Sequence, residues 1–383
     1  MIDKEIGELR RRFRPDKSNV TRILGCYVNH SGEIISQFNQ SVAMMQEDEA
    51  EKFLSIFKKT LTGTIGKQLT DITFTTDQVA NGGEHKLLSR VRTSAIEDEE
   101  AVDELFQKII QSVHFEDNYA ILLAYDSYDV PYRGKDGGSM DDASGTMFTY
   151  LVCSVCPVKM SKPALSYQNE EKEFHNRKVD YTLSPPEVGF LFPAFDDRAT
   201  NLYNALYYCK NLMDPQETFV DAIFKTEPPM AAGLQKEAFE DILQDALGDE
   251  CQFEVLQSVH QQFSNMVLEH KANKEPTPLC LTKQEVAYVL ENSGISEEHM
   301  TAFEEAYDQE FGEDTSLFPR NVIDTNKFAI NTPDVSIKVS PERQDLLETR
   351  IIDGVPYILV KAAEGIEVNG VNVHISEKSE VIF

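Results

Sequence analysis

The sequence lacks the features that mark membrane and secreted proteins. No apolar run approaches the roughly 18–20 residues that a membrane-spanning helix needs. The first residues, MIDKEIGELRRRF, carry charges where a signal peptide would have its apolar core. The six cysteines are scattered over 383 residues, which is not the pattern of a disulfide framework. We therefore expect a cytoplasmic protein with reduced thiols and no membrane association.

Signatures of common catalytic and metal sites are also missing. The sequence has no GxSxG motif, and its eight histidines show no HxxxH or similar ligand spacing. The one CxxC motif, formed by Cys153 and Cys156, lacks the second pair that a zinc site requires. It lies in a predicted strand, where positions i and i+3 point to opposite faces. These cysteines are predicted to be structural, and nucleophilic catalysis has no visible signature.

Positive charge is scarce and unevenly placed. The formal net charge is −29, and the region 214–314 is the most acidic part of the chain. Residues 9–22 form the one basic segment, so its arginines are the candidates for nucleic-acid contacts: Arg10, Arg11, Arg12 and Arg14. The alternatives are a solvated helix end or a strip that pairs with the acidic region. Apart from this segment, an acidic chain is expected to be repelled by nucleic acid.

Helix, strand and hairpin patterns are mixed in the first half of the chain. Helical spacing predicts helices at 2–13, 47–62 and 98–113, and strands are predicted at 23–27, 34–37, 72–75 and 187–195. Without a regular strand–helix alternation, these patterns favour an α+β fold with a mostly antiparallel sheet. From residue 199 the pattern becomes helical, beginning with a predicted helix at 199–212. Asp353-Gly354 and Asn369-Gly370 predict hairpin turns in a small C-terminal β module.

These patterns predict three parts. The first is an α+β domain at 1–212, the second an acidic, all-helical region at 213–318, and the third a small β module at 319–383.

A polar, glycine-rich segment at 125–145 is the first candidate site. It is predicted to be a long loop between two apolar strands, and such loops are often functional. Arg133 and Lys135, with backbone N–H groups near the glycines, would suit an anion. Asp136, Asp141 and Asp142 would suit a hard cation, which takes oxygen ligands. The segment is neither a phosphate-binding P-loop nor an EF-hand, and the alternative is an ordinary solvated loop.

The second candidate is the segment FDDRAT at 195–200, where a strand is predicted to turn into a helix. Asp197 could cap that helix, and Arg198 could pair with a neighbouring acid. Asp196 has no structural role that the sequence reveals. If the two segments face each other, Arg198 would join the anion site, and Asp196 would complete a site for a divalent cation.

Several segments together resemble an uncharacterised bacterial family known only as a domain of unknown function. They are KEIGELRRR at 4–12, TRILGCYV at 21–28, the block 118–145 with YDVPYRGK at 128–135, and EVGFLFPAFDDR at 187–198. The resemblance covers nearly the whole chain and implies a bacterial, cytosolic protein. It supplies no activity, cofactor or catalytic residue.

Three functions remain open at this point, and whether the protein is an enzyme is undecided. The first is a cytosolic binding or regulatory protein that holds a protein partner or a small anionic ligand at segments 125–145 and 195–200. The second is a metal-assisted hydrolase of phosphoesters that uses the four aspartates as ligands. The third is a nucleic-acid- or ribosome-associated factor that uses the basic segment.

Overall fold

The computed structural model describes residues 1–133, 139–176, 179–273, 275, 277–313, 315–325, 327–362 and 365–373, and gives the backbone alone for 132–133 and 139–145. The chain separates into two compact units. The first comprises Met1–Gln235 with Pro276–Pro278, and the second comprises Lys236–Glu275 with Leu279–Phe383. The division into three parts at 212 and 318 stays a prediction.

The first unit combines helices with a large sheet. Its helices are α1 Asp3–Arg10, α2 Glu47–Thr60, α3 Thr76–Asn81, α4 Gly83–Thr93, α5 Glu99–Ser112 and α6 Glu217–Phe224. Its strands are β1 Arg22–Val28, β2 Ile34–Ser41, β3 Leu69–Thr73, β4 Tyr119–Arg133, β5 Ser139–Met160, β6 Leu165–Gln168, β7 Glu173–Asn176, β8 Tyr181–Leu183, β9 Val188–Phe192, β10 Ala194–Asp196, β11 Ala199–Asn201 and β12 Asn204–Cys209.

The main sheet has the strand order β2-β1-β4-β5-β9-β12-β3, and β8 pairs with the end of β5. Every pairing in it is antiparallel. The predicted α+β class with a mostly antiparallel sheet is therefore confirmed.

Helices cover both faces of this sheet, because side chains along a strand alternate between the faces. In β4, Ile121 and Leu123 pack in the core under α4, α5 and α6, whereas Leu122 and Ala124 pack in the core under α1 and α2. A strand buried on both faces must be apolar at consecutive positions. The arrangement explains the continuous apolar run at the start of β4.

The predicted helix at 199–212 is wrong, because this segment forms β11 and β12. Asp197 and Arg198 have positive φ angles of 49° and 60°, which make the two-residue turn of the β10–β11 hairpin. Asp197 therefore caps no helix. In β12, Tyr207 lies in one core and Tyr208 in the other, which is the period of a strand buried on both faces.

The predicted long loop at 125–145 is also wrong for most of its length. Strand β4 continues to Arg133, and β5 begins at Ser139 and pairs with it. Tyr128 and Val130 are buried in the α1–α2 core, so the period-two pattern of a strand extends into this polar segment. Its many aspartates and glycines concealed that pattern.

The second unit begins with helices and ends with hairpins. Its helices are α7 Ala232–Leu247, of which the part from Lys236 onward belongs to this unit, α8 Phe253–Asn273, α9 Lys283–Asn292, α10 Glu297–Phe311 and α11 Pro319–Val322. Its hairpins are β13 Phe328–Asn331 with β14 Ser336–Val339, β15 Leu347–Ile352 with β16 Val355–Val360, and β17 Ile366–Val368 with β18 Val371–Val373. The predicted turns at 353–354 and 369–370 are confirmed by positive φ angles at all four residues. Across the residues described, no helix has the length and apolar character to cross a bilayer.

Candidate functional site

The turn at 197–198 packs against the β4–β5 hairpin, so the two predicted site segments meet. Arg198 Nη2 donates a hydrogen bond to the carbonyl oxygen of Pro131 at 2.8 Å. The ring of Phe195 lies 4.7 Å from that of Phe148 and 5.9 Å from that of Tyr128, measured between centroids. The turn is therefore held on a rigid aromatic base beside β4.

Asp126 of β4 is the buried centre of this region. Its side chain is 0 % exposed and accepts hydrogen bonds from Tyr150 Oη at 2.6 Å, Arg12 Nε at 3.3 Å and the Asn19 backbone N–H at 3.0 Å. Burial raises the pKa of Tyr150 well above its usual value, and Asp126 raises it further. Burial alone would lower the pKa of Arg12, but Asp126 raises it above its ordinary value. A buried charge pair of this kind is costly to break from one side.

The segment after α1 is fastened to β4 by the same contacts. Arg12 Nη2 and Asn19 Nδ2 both donate to the carbonyl oxygen of Ser127, at 3.1 Å and 2.7 Å. These bonds fix both ends of the loop 12–19. Lys17 lies between these anchors, and Arg11 lies immediately before the first of them.

A second chain of contacts connects α1 with the turn. The guanidinium carbon of Arg12 lies 4.4 Å from the ring centroid of Tyr128, which is a cation–π contact. Tyr128 Oη donates to Glu8 Oε1 at 2.6 Å, and Arg198 Nη1 donates to both Glu8 oxygens at 2.7 and 2.6 Å. Burial raises the pKa of Tyr128 to about 12, with Glu8 adding to the effect.

These contacts surround a surface cavity of about 410 Å³, called here the cationic cavity. It is lined by Glu8, Arg11, Arg12, Lys17, Tyr128, Pro131 and Arg198. Two of its cations are already paired, Arg12 with Asp126 and Arg198 with Glu8. Arg11 and Lys17 are exposed and form no ion pair within the part of the chain that the structure describes.

Asp196 has a structural role that the sequence did not reveal. Its carboxylate lies 2.9 Å from the α-ammonium of Met1 and accepts a hydrogen bond from Asn201 Nδ2 at 2.6 Å. The same ammonium lies 3.0 Å from Asp71. Burial raises the pKa of Asp71, although the ammonium opposes the shift. These contacts explain Asp196 without a ligand, and its part in a divalent-cation site stays a prediction.

The other predicted ligands fall outside the side chains that the structure describes. They are Arg133, Lys135, Asp136, Asp141 and Asp142. Among the described residues, no three histidine, cysteine, aspartate or glutamate side chains form a group able to hold a metal ion. The divalent-cation site and the hydrolase that depends on it stay predictions.

The arginines proposed to contact nucleic acid have different surroundings. Arg10 ends α1, Arg11 and Arg12 line the cationic cavity, and Arg14 pairs with Asp16 at 3.3 Å. Arg12 is committed to a buried carboxylate, which weakens its availability to phosphates. A nucleic-acid interface along this segment stays a prediction.

Cys153 and Cys156 lie in β5 and are buried. Burial raises the pKa of both thiols, so they are protonated and inert at neutral pH. This environment fits the structural role expected for them.

Sequence reasoning missed Asp126, Tyr128, Tyr150 and Glu8. A signal for the first was present, because Asp126 has the same parity along the strand as Leu122, Ala124, Tyr128 and Val130. An acid on an otherwise apolar, inward-facing side of a strand predicts a buried, paired charge.

Comparison with known proteins agrees with the resemblance drawn from the sequence. Comparison with curated protein sequences finds no match. A family model does match residues 1–371 and therefore nearly the whole chain. The protein belongs to the family described as Domain of unknown function (DUF4317).

Proposed function

We propose that the protein is a cytoplasmic binding or regulatory protein that holds an anionic group in the cationic cavity. The group belongs either to a small ligand or to an acidic segment of a protein partner. The observation that carries the proposal is the pair Arg11 and Lys17, which line one cavity and form no ion pair with any side chain that the structure describes, in a chain with a net charge of −29.

The distribution of charge along the chain supports anion binding in the cationic cavity. A strongly acidic protein repels anions over most of its surface, so a cavity with local positive charge attracts them selectively. The size also fits, because ligand sites commonly occupy about 300–1,000 Å³ and the cavity measures about 410 Å³.

The rigidity of the cavity wall supports it further. Arg12 and Arg198 are each held by a carboxylate, so these parts of the wall do not have to be ordered when a ligand arrives. Preorganisation of this kind lowers the entropic cost of binding.

The test is a calorimetric titration of phosphate, sulfate and citrate into the full chain at low ionic strength. We expect at least one anion to bind, and the double variant Arg11→Gln/Lys17→Gln to weaken that binding by about tenfold or more, which is about 1.4 kcal/mol. The control is Lys4→Gln/Lys58→Gln, which removes the same charge from exposed positions outside the cavity. No binding by any anion, or an equal loss in the control, would contradict the proposal.

A further inference from the structure

The charges around the cationic cavity also indicate the kind of anion. Two of its cations are neutralised by partners, Arg12 by Asp126 and Arg198 by Glu8. Arg11 and Lys17 remain, and no acid whose side chain the structure describes forms an ion pair with either of them, so the cavity offers two further positive charges. A carboxylate, a sulfate ester or a phosphodiester carries one negative charge, whereas a phosphate monoester carries about −1.5 to −2 at pH 7. A phosphate monoester matches the cavity best.

The available donors suit the same group. Arg12 uses Nε and Nη2 for Asp126 and the carbonyl of Ser127, so the donors that remain for a ligand are those of Arg11 and Lys17. Arg11 presents a planar fork of N–H groups, and Lys17 presents three N–H donors around a point charge. A phosphate monoester has three terminal oxygens that accept hydrogen bonds strongly. Two separate donor groups, those of Arg11 and Lys17, can therefore hydrogen-bond to different oxygens of one phosphate.

The surroundings favour a small molecule over an extended polyanion. The basic segment 9–22 is short, and the chain as a whole carries −29. A nucleic acid would bring further phosphates against that acidic surface, where they are repelled. A single phosphate group on a compact molecule avoids this cost and fits a cavity of about 410 Å³.

We propose that the cationic cavity binds the phosphate dianion of a small molecule, with Arg11 and Lys17 as the residues that select two negative charges over one. This inference rests on the proposed function and gives it a ligand class. The phosphate can belong to an organic monoester or be free inorganic phosphate, because both present the same group.

The experiment compares two ligands of similar shape and different charge. Phenyl phosphate, phenyl sulfate and inorganic phosphate are titrated into the full chain at neutral pH and low ionic strength. We expect phenyl phosphate to bind about tenfold tighter than phenyl sulfate, because the second negative charge meets the second cation. Tighter binding of phenyl phosphate than of inorganic phosphate identifies an organic monoester as the source, and the reverse order identifies the free ion.

Single variants provide the sharper test. In Arg11→Gln or Lys17→Gln one uncompensated charge remains, so the preference for phenyl phosphate over phenyl sulfate should fall from about tenfold to about twofold or less. Lys4→Gln removes a cation of the same helix from outside the cavity and should leave the ratio unchanged.

The titrations distinguish a failure of the inference about the dianion from a failure of the proposed anion-binding function. Equal binding of phenyl phosphate and phenyl sulfate, or an unchanged ratio in both cavity variants, would overturn the inference about the dianion while anion binding itself stood. Absence of binding by every anion tested would overturn the proposed function as well.

Discussion

Asp126 lies on the face of β4 that packs under α1 and α2. Its neighbours on that face, Ala124 and Tyr128, are both buried among apolar side chains. A carboxylate in such a place is stable only when donors surround it, and here they come from Arg12, Tyr150 and the backbone of Asn19. One buried charge thus positions the loop that carries Lys17. The position of Lys17 in the cavity therefore depends on Asp126, a buried residue that a bound ligand would not contact.

At this scale we predict that Asp126→Asn destabilises the protein by about 3–5 kcal/mol, because Arg12 would keep its charge beside a neutral side chain in a mostly buried site. The free energy of unfolding, measured with urea, gives the value. Asp16→Asn removes an exposed partner from Arg14 and should cost about 0–1 kcal/mol. A loss below about 1 kcal/mol for Asp126→Asn would show that the pair contributes no more than a surface ion pair.

At the scale of elements, periodicity was a good guide where one face of an element is apolar. It predicted α2, α5 and the β1–β2 hairpin, whose bounds agree with the structure within a few residues. It failed at β12, where Ala205-Leu-Tyr-Tyr-Cys209 is apolar on both faces and has no visible period. The sequence also could not show that the turn at 197–198 meets the β4–β5 hairpin, because strand order depends on pairings between segments distant along the chain.

In the second unit, His260 joins three segments. It lies on α8, its Nε2 is 2.9 Å from the carbonyl oxygen of Asp324, and its Nδ1 is 2.9 Å from Gln344 Nε2, an N–H donor. This pattern requires a neutral ring that donates from Nε2 and accepts at Nδ1. Burial lowers the pKa of His260, and the Asp324 carbonyl opposes the shift only in part.

The lowered pKa predicts a stability loss in mild acid. As the pH falls below about 6.5, the unfolded chain takes up the proton first, so the free energy of unfolding decreases until the pH passes the lower, folded-state pKa. In His260→Gln this decrease should be smaller between about pH 6.5 and 5. His30→Gln, which changes an exposed histidine, should keep the wild-type slope. Equal slopes in wild type and His260→Gln would contradict a neutral, buried ring.

At the scale of the whole molecule, 65 acidic residues against 36 basic ones create repulsion throughout the folded chain. Such repulsion disfavours the compact state and is screened by salt. We predict that the free energy of unfolding rises when NaCl is increased from about 0.02 M to about 0.2 M, while anion binding at the cationic cavity weakens over the same range. Salt raises the free energy of unfolding because it screens the repulsion between acidic residues. It weakens anion binding because it screens the attraction between the anion and the cavity.

Neutralising exposed acids should reproduce the first effect without salt. Glu305 and Glu310 are exposed in the second half of α10, towards the negative end of the helix dipole. Glu305→Gln/Glu310→Gln should therefore stabilise the protein by about 0.5–1 kcal/mol at low salt, and the gain should shrink at high salt. Arg11 and Lys17 line the cavity, whereas Glu305 and Glu310 do not, so anion affinity should change far less in this variant than in Arg11→Gln/Lys17→Gln. A stability gain that stayed constant with salt would mean that side-chain helix propensity, not charge, causes it.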